Sequence, residues 1–247
     1  MSSGHSSSFL AQLLASREFS DLTFFCCGQE FKVHKVIVCM QSAPIKAAVQ
    51  GGFEETETNR INMDKFQPDT VRRLVQFMYS GNYDDPGDSD DDHGTLCADS
   101  IPSAPSVEAM LLGHIGVNSI GDYYQVDGLM SLANSKIKKL LSDRNANNHE
   151  SLIAGLPAAI EAAAESTGNK ELFEILAEAA SRNTSCLLLD TEVLKNLSAM
   201  SDFAVSLLQA MINRNLALGT ELVDTRFRLC QAEERLQERE RTLRNAE

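Results

Sequence analysis

The chain has 247 residues, enough for one full domain and a smaller second one, and its 43% apolar content is ordinary for a globular core. Trp is absent and aromatic residues make up only 6%, which excludes large stacking surfaces for sugars or unpaired bases. A net charge of −13 argues against nucleic-acid binding, which needs a basic face to neutralise phosphates, and reads instead as solubility.

Residues 1–8 (MSSGHSSS) form a polar, disordered lead without the charged-then-apolar start of a signal peptide. Phe9, Leu10, Leu13 and Leu14 then mark a short amphipathic helix. Leu22, Phe24 and Cys26 alternate with Thr23, Phe25 and Cys27, the period of a strand at least partly covered on both faces. A turn at Gly28-Gln29 leads into a returning strand, Glu30 to His34, with Phe31 and Val33 on one face. Lys35 to Met40 is an apolar run too short to classify by period. Pro44 to Val49 suits a helix stopped by Gly51-Gly52, Ile61 to Met63 a brief strand, and Asp69 to Tyr79 a helix closed near Gly81.

From Asp84 to Pro105 the composition turns acidic and rich in Pro, Gly and Ser, a solvated disordered loop. Asp88, Asp90, Asp92 and Asp99 have the spacing of a calcium loop, but such a loop wants Gly sixth and Glu twelfth, where His93 and Asp99 stand. Val107 to Leu141 reads as an antiparallel helix pair. Its first helix carries Ile115, Val117, Ile120, Tyr123 and Tyr124, and its second Leu129, Leu132, Ala133, Ile137, Leu140 and Leu141, joined at Val126-Asp127-Gly128. A polar linker, 143–151, precedes helical patterns at Leu152–Ser166, Glu171–Arg182, Thr191–Leu197 and Asp202–Asn213; Pro157 fits the first only near its opening turn. Leu222, Leu229, Leu236 and Leu243 recur every seventh residue, but the second stripe is poor, so this end is either a solvated single helix or a weak dimeric coil. No basic region precedes it, which removes a DNA-binding zipper.

The six cysteines, Cys26, Cys27, Cys39, Cys97, Cys186 and Cys230, form no C-x-x-C, and Cys26 and Cys27 point to opposite faces of the strand. The expectation is buried thiols in a reducing compartment and no metal site. Sequons at Asn183 and Asn196 are coincidental on this reading, and no apolar run approaches a membrane span, so the chain is read as intracellular, in cytoplasm or nucleus. Nucleophile elbow, P-loop, zinc-protease and dinucleotide motifs are all missing from the sequence; neither an enzyme nor a cofactor is expected.

The ordered words Phe-Ser-Asp-Leu (Phe19 to Leu22), Phe-Lys-Val-His-Lys (Phe31 to Lys35), Ser-Ala-Pro at Ser42, Gly-Gly-Phe-Glu-Glu at Gly51, Ile-Asn-Met at Ile61 and Met-Tyr-Ser-Gly-Asn-Tyr at Met78 resemble a BTB/POZ domain. The resemblance implies an α+β fold, a small mixed sheet capped by helical hairpins, over 9–141, with 84–105 as an insertion. It also implies an all-α extension over 150–216 like that of fungal-type relatives, with the Ser166 to Leu172 transition, before the terminal helix or weak coiled coil at 217–247. By the same resemblance His34 is structural, and the chain is a protein-interaction module, a homodimer or hetero-oligomer. Phe9, Leu10, Leu13 and Leu14 then either bind another subunit or fold back onto their own domain. Phe53 and Glu55 match the apolar-x-Glu element by which adaptors of ubiquitin ligases grip a cullin scaffold. The alternative is a self-associating scaffold with no ligase role.

Overall fold

The computed structural model describes residues 4–85, 106–142, 146–183 and 201–244. Helix α1 (Gly4–Ser16) leads into a hairpin of β1 (Leu22–Cys26) and β2 (Gln29–Val33). Three short helices, α2 (Lys35–Gln41), α3 (Ala43–Gln50) and α4 (Glu54–Thr58), carry the chain to β3 (Arg60–Asn62), and α5 (Pro68–Ser80) follows. Beyond 105 lie α6 (Val107–Tyr123), α7 (Asp127–Ser142), α8 (Ala146–Ser166), α9 (Lys170–Arg182) and α10 (Ser201–Arg244).

The sheet has the order β2-β1-β3, antiparallel between β1 and β2 and parallel between β1 and β3. Alternation decides which face of β1 goes inward: Leu22, Phe24 and Cys26 are buried, while Thr23 and Phe25 are half-buried. Against them pack Val33, Val38, Ile45 and Ile61, the α5 residues Val71, Leu74, Val75 and Met78, and Val117, Ile120, Leu129 and Ala133 from α6 and α7. Ser42 ties the layers together. Its hydroxyl accepts the Ile45 N–H at 3.2 Å, capping α3, and donates to the Tyr124 carbonyl at 2.6 Å.

The hairpin turn falls at Cys27-Gly28, not Gly28-Gln29. Both residues have positive φ, 49° and 84°, so two left-handed residues close the turn between Cys26 and Gln29. The unclassified Lys35–Met40 run is helical. Gly81 ends α5 at φ 74° and its N–H donates to the Phe77 carbonyl at 2.7 Å. Gly81→Ala is expected to cost about 1 kcal/mol from the left-handed backbone alone, read as a lowered thermal midpoint.

A second core forms where the other ends of α6 and α7 (Leu111, Ile115, Ile137) meet Leu156, Ala159, Ile160 and Ala163 of α8, Leu172, Leu176 and Ala180 of α9, and Phe203 of α10. The close approach of α8 to α6 needs Gly155, because a β-carbon there would lie 2.9 Å from the Glu108 side chain. The Ser166 to Leu172 transition is a polar clasp. The Asp122 carboxylate accepts the Thr167 hydroxyl and the Gly168 N–H, both at 2.9 Å, and Asn169 caps α9 by accepting the Leu172 N–H at 2.8 Å.

Several boundaries differ from expectation. Helix α1 starts within the polar lead, and α8 starts at Ala146 inside the expected linker, which places Pro157 deep in the helix. The lost ladder bond is tolerated where Leu156, Ala159 and Ile160 are buried. The acidic insertion lies outside the described residues from 86 onward; its first residues, Asp84 and Asp85, are held by Gln76 and Lys136. The Thr191–Leu197 helix, Cys97 and Cys186 also lie outside the described residues. Helix α10 runs unbroken across the expected boundary at 216/217, about 66 Å long at 1.5 Å per residue. Phe203, Leu207 and Ala210 pack it onto the second core, and from Met211 to Leu236 every side chain is exposed. The leucine stripe meets no partner among the described residues, so the coil expectation gains no contact from this fold.

Candidate interaction surfaces

The four apolar residues of α1 do not act as one set. Leu10 and Leu14, one turn apart, pack against the first core, whereas Phe9 is 64% exposed and Leu13 is half-buried. Leu10 and Leu14 thus fold back onto their own domain, one of the two expected roles, while Phe9 is left exposed. What sequence reasoning missed lies on α2. Val36 and Met40 stand one turn apart, 72% and 81% exposed, with Val38 buried between them. The signal was the i, i+4 spacing within the run left unclassified.

His34 brings a further apolar side chain to this face. Its backbone N–H donates to the Tyr79 hydroxyl at 2.8 Å, Nδ1 lies 2.6 Å from the same oxygen, and Nε2 lies 2.7 Å from the Glu18 carbonyl. That last contact pins the Glu18–Phe19 backbone beside the first turn of α2. Phe19, at φ 60°, is held outward and exposed. Asp21 accepts the Lys35 N–H at 2.7 Å and secures the same helix start. His34, Asp21 and Lys35 are thus framework residues around the exposed apolar side chains Phe19, Val36 and Met40.

Phe53 and Glu55 come together on a second surface. Phe53, extended at φ −85° and ψ 176°, is the N-cap of α4, whose first turn holds Glu54, Glu55 and Glu57. Three carboxylates there complement the partial positive charge of the helix start. Phe53 is 61% exposed and Glu55 half-buried. The Phe53 ring folds down over Gly51, where a β-carbon would lie 2.5 Å from it, so Gly51 is required for this ring position. The result is one raised aromatic beside an acidic turn.

A polar cluster sits where α5, α6 and α7 meet. Lys136 Nζ donates to the Tyr83 carbonyl at 2.9 Å and to Asp85 at 2.5 Å. The Tyr83 hydroxyl and His114 Nδ1 share a hydrogen bond of 3.0 Å, and His114 Nε2 lies 4.0 Å from Asp85. Burial lowers the His114 pKa to about 4, against a smaller opposing pull from Asp85. Burial works against the Asp85 carboxylate, but Lys136, together with His114 and Lys139, outweighs it and holds its pKa below the ordinary value.

At the hairpin tip the left-handed turn carries Cys27 off the strand, so the two adjacent thiols do not point to opposite faces. Cys26, Cys27 and Asp64 each place a ligand atom within 4.8 Å of the others. Of the four described cysteines only Cys26 is fully buried; Cys27 and Cys230 are exposed, against the expectation of mostly buried thiols. An open groove of roughly 710 Å³ between α9 and α10 is lined by Lys170, Glu174, Glu178, Arg182 and Arg214, charges of both signs that define no single ligand class. Among the described residues no helix is long and apolar enough to cross a membrane.

Comparison with family models matches residues 10–100 to the BTB/POZ domain.

Proposed function

We propose, from the premise that residues 10–100 are a BTB/POZ domain, that this chain is an interaction module that pairs with a second copy of itself through the α1–α2 face. BTB/POZ domains are non-catalytic, and the fold supports a general role in protein binding and oligomerisation. The observation that carries self-association is the exposure of Phe9 on α1 and of Phe19, Val36 and Met40 around the His34 tie. Each such side chain stabilises a contact by about 1.5–3 kcal/mol once buried, so four are a sufficient centre for an interface of standard size. The reading takes 9–141 as one unit, supported by α6 and α7 entering the first core, and 150–216 as the extension. The free thiols suit a reducing compartment, cytoplasm or nucleus.

Light scattering on the full chain tests this. Twice the chain mass is expected, falling to monomer mass in Val36→Asp/Met40→Asp with an unchanged thermal midpoint. A monomeric wild type at high micromolar concentration, or a double variant that stays dimeric, rejects it. The terminal stripe is a weaker second contact. In a parallel pair the neighbouring core positions Arg226, Glu233 and Glu240 would stack like charge on like, which limits what Leu222, Leu229 and Leu236 contribute.

The second reading, adaptor of a cullin-based ubiquitin ligase, is favoured by Phe53 and Glu55. A raised aromatic supplies buried area and a neighbouring carboxylate sets register, as at an interface hot spot. Capture of the N-terminal half of a cullin scaffold by the wild type, lost in Phe53→Ala/Glu55→Ala at unchanged mass, is the expected result. Failure of the wild-type dimer to bind leaves the scaffold reading alone.

A further inference from the structure

We propose that the thiols of Cys26 and Cys27 and the carboxylate of Asp64 form a binding site for a thiophilic divalent cation of the zinc class at the tip of the β1–β2 hairpin. The ligand atoms lie within 4.8 Å of one another, and a tetrahedral zinc site with two thiolates needs sulfurs roughly 3.8 Å apart, so small side-chain rotations close it.

Two features separate this cluster from a chance gathering. Cys27 occupies a left-handed turn position, φ 49°, where Asn or Gly is preferred, and it is exposed, so packing does not account for a thiol there. The turn also sets this thiol beside that of Cys26, which a continuous strand would not do. Asp64, in turn, is oriented by its neighbours. Its N–H donates to Asn62 Oδ1 at 2.7 Å, and its Oδ1 accepts the Cys27 N–H at 2.5 Å. Among the described residues its second oxygen takes no hydrogen bond and is available to an ion. This is the outer support that well-held metal ligands share.

Cys26 Sγ lies 3.0 Å from the Phe66 carbonyl, to which its S–H donates. An ion displaces that proton and the one on Cys27. The two thiolates and one carboxylate then carry −3 against +2, and a fourth position is left for water. Two soft thiolate donors favour ions that bind sulfur strongly over magnesium and calcium, which take oxygen ligands.

The test is a Co²⁺ titration of the reduced full chain, with a phosphine reductant in place of a competing thiol. One equivalent is expected to raise a thiolate-to-cobalt charge-transfer band and the visible bands of tetrahedral cobalt, both erased by Zn²⁺. Cys27→Ser is expected to lower Co²⁺ affinity by about 100-fold and Asp64→Asn by about 10-fold, with Cys230→Ser unchanged. Both site variants keep the turn and its hydrogen-bond acceptor, and circular dichroism checks their folding. Absence of the charge-transfer band in the wild type, or a titration unaltered by Cys27→Ser or by Asp64→Asn, overturns the site.

Discussion

Tyr79→Phe is expected to cost the folded chain about 3 kcal/mol, measured as a lower urea midpoint at unchanged slope. The change removes one oxygen and no apolar volume, so packing is not the cause. The Tyr79 hydroxyl serves two buried groups of His34, its backbone N–H and Nδ1. A carbonyl only accepts, so the 2.7 Å contact with Glu18 assigns the ring hydrogen to Nε2, and Tyr79 then donates to Nδ1 while accepting the N–H. Burial raises the Tyr79 phenol to about 12, which keeps its proton in place. With Phe at 79, a buried donor and a buried acceptor both lose their partner, and each such loss costs about 1–3 kcal/mol. The same substitution loosens the Glu18 tie, so the variant is expected to self-associate less. A loss below about 1 kcal/mol would show that water replaces the hydroxyl and that His34 is not fixed by Tyr79.

Where one element has one buried face, the sequence was legible. Leu22, Phe24 and Cys26 alternate because β1 covers a core on one side, and Val71, Leu74, Val75 and Met78 repeat at helical spacing because α5 does. Phe53 and Glu55 were singled out by resemblance to a three-residue family element, and the fold sets them together at the start of α4. Features set by single backbone angles were not visible. The positive φ at Cys27 shifts the turn by one residue and reverses the expected separation of the two thiols. Asp64, far along the chain, reaches that turn only through the parallel pairing of β1 with β3. Helix α2 was missed because seven residues hold too few turns for a period to declare itself, and with it went Val36 and Met40. In α1, Phe9, Leu10, Leu13 and Leu14 look alike as apolar letters. Only the docked position of the helix separates Leu10 and Leu14, facing inward, from Phe9.

Acidification from about pH 6.5 to pH 4 is expected to remove about 3 kcal/mol of stability through His114 alone. The folded state holds this imidazole neutral down to about pH 4, whereas the unfolded chain takes up a proton near 6.5. Between those values the unfolded state binds more protons, so stability is complete above the unfolded pKa, declines as pH falls, and levels off below about 4. Groups facing the ring set the magnitude. Burial dominates, Asp85 opposes it, and Lys136 and Arg73 reinforce it. Asp85 itself, held low by Lys136, loses its contribution in a separate and more acidic window. His114→Gln is expected to flatten the profile between pH 6.5 and 4, whereas Asp85→Asn, which removes the opposing anion, is expected to deepen the decline. Denaturant unfolding across this range decides the matter; parallel profiles for wild type and His114→Gln would sink the assignment. Tyr83 and Asp85 are anchored by Lys136 at this same cluster, so protonating His114 weakens the seam between α5, α6 and α7 from which the acidic run at 86–105 departs.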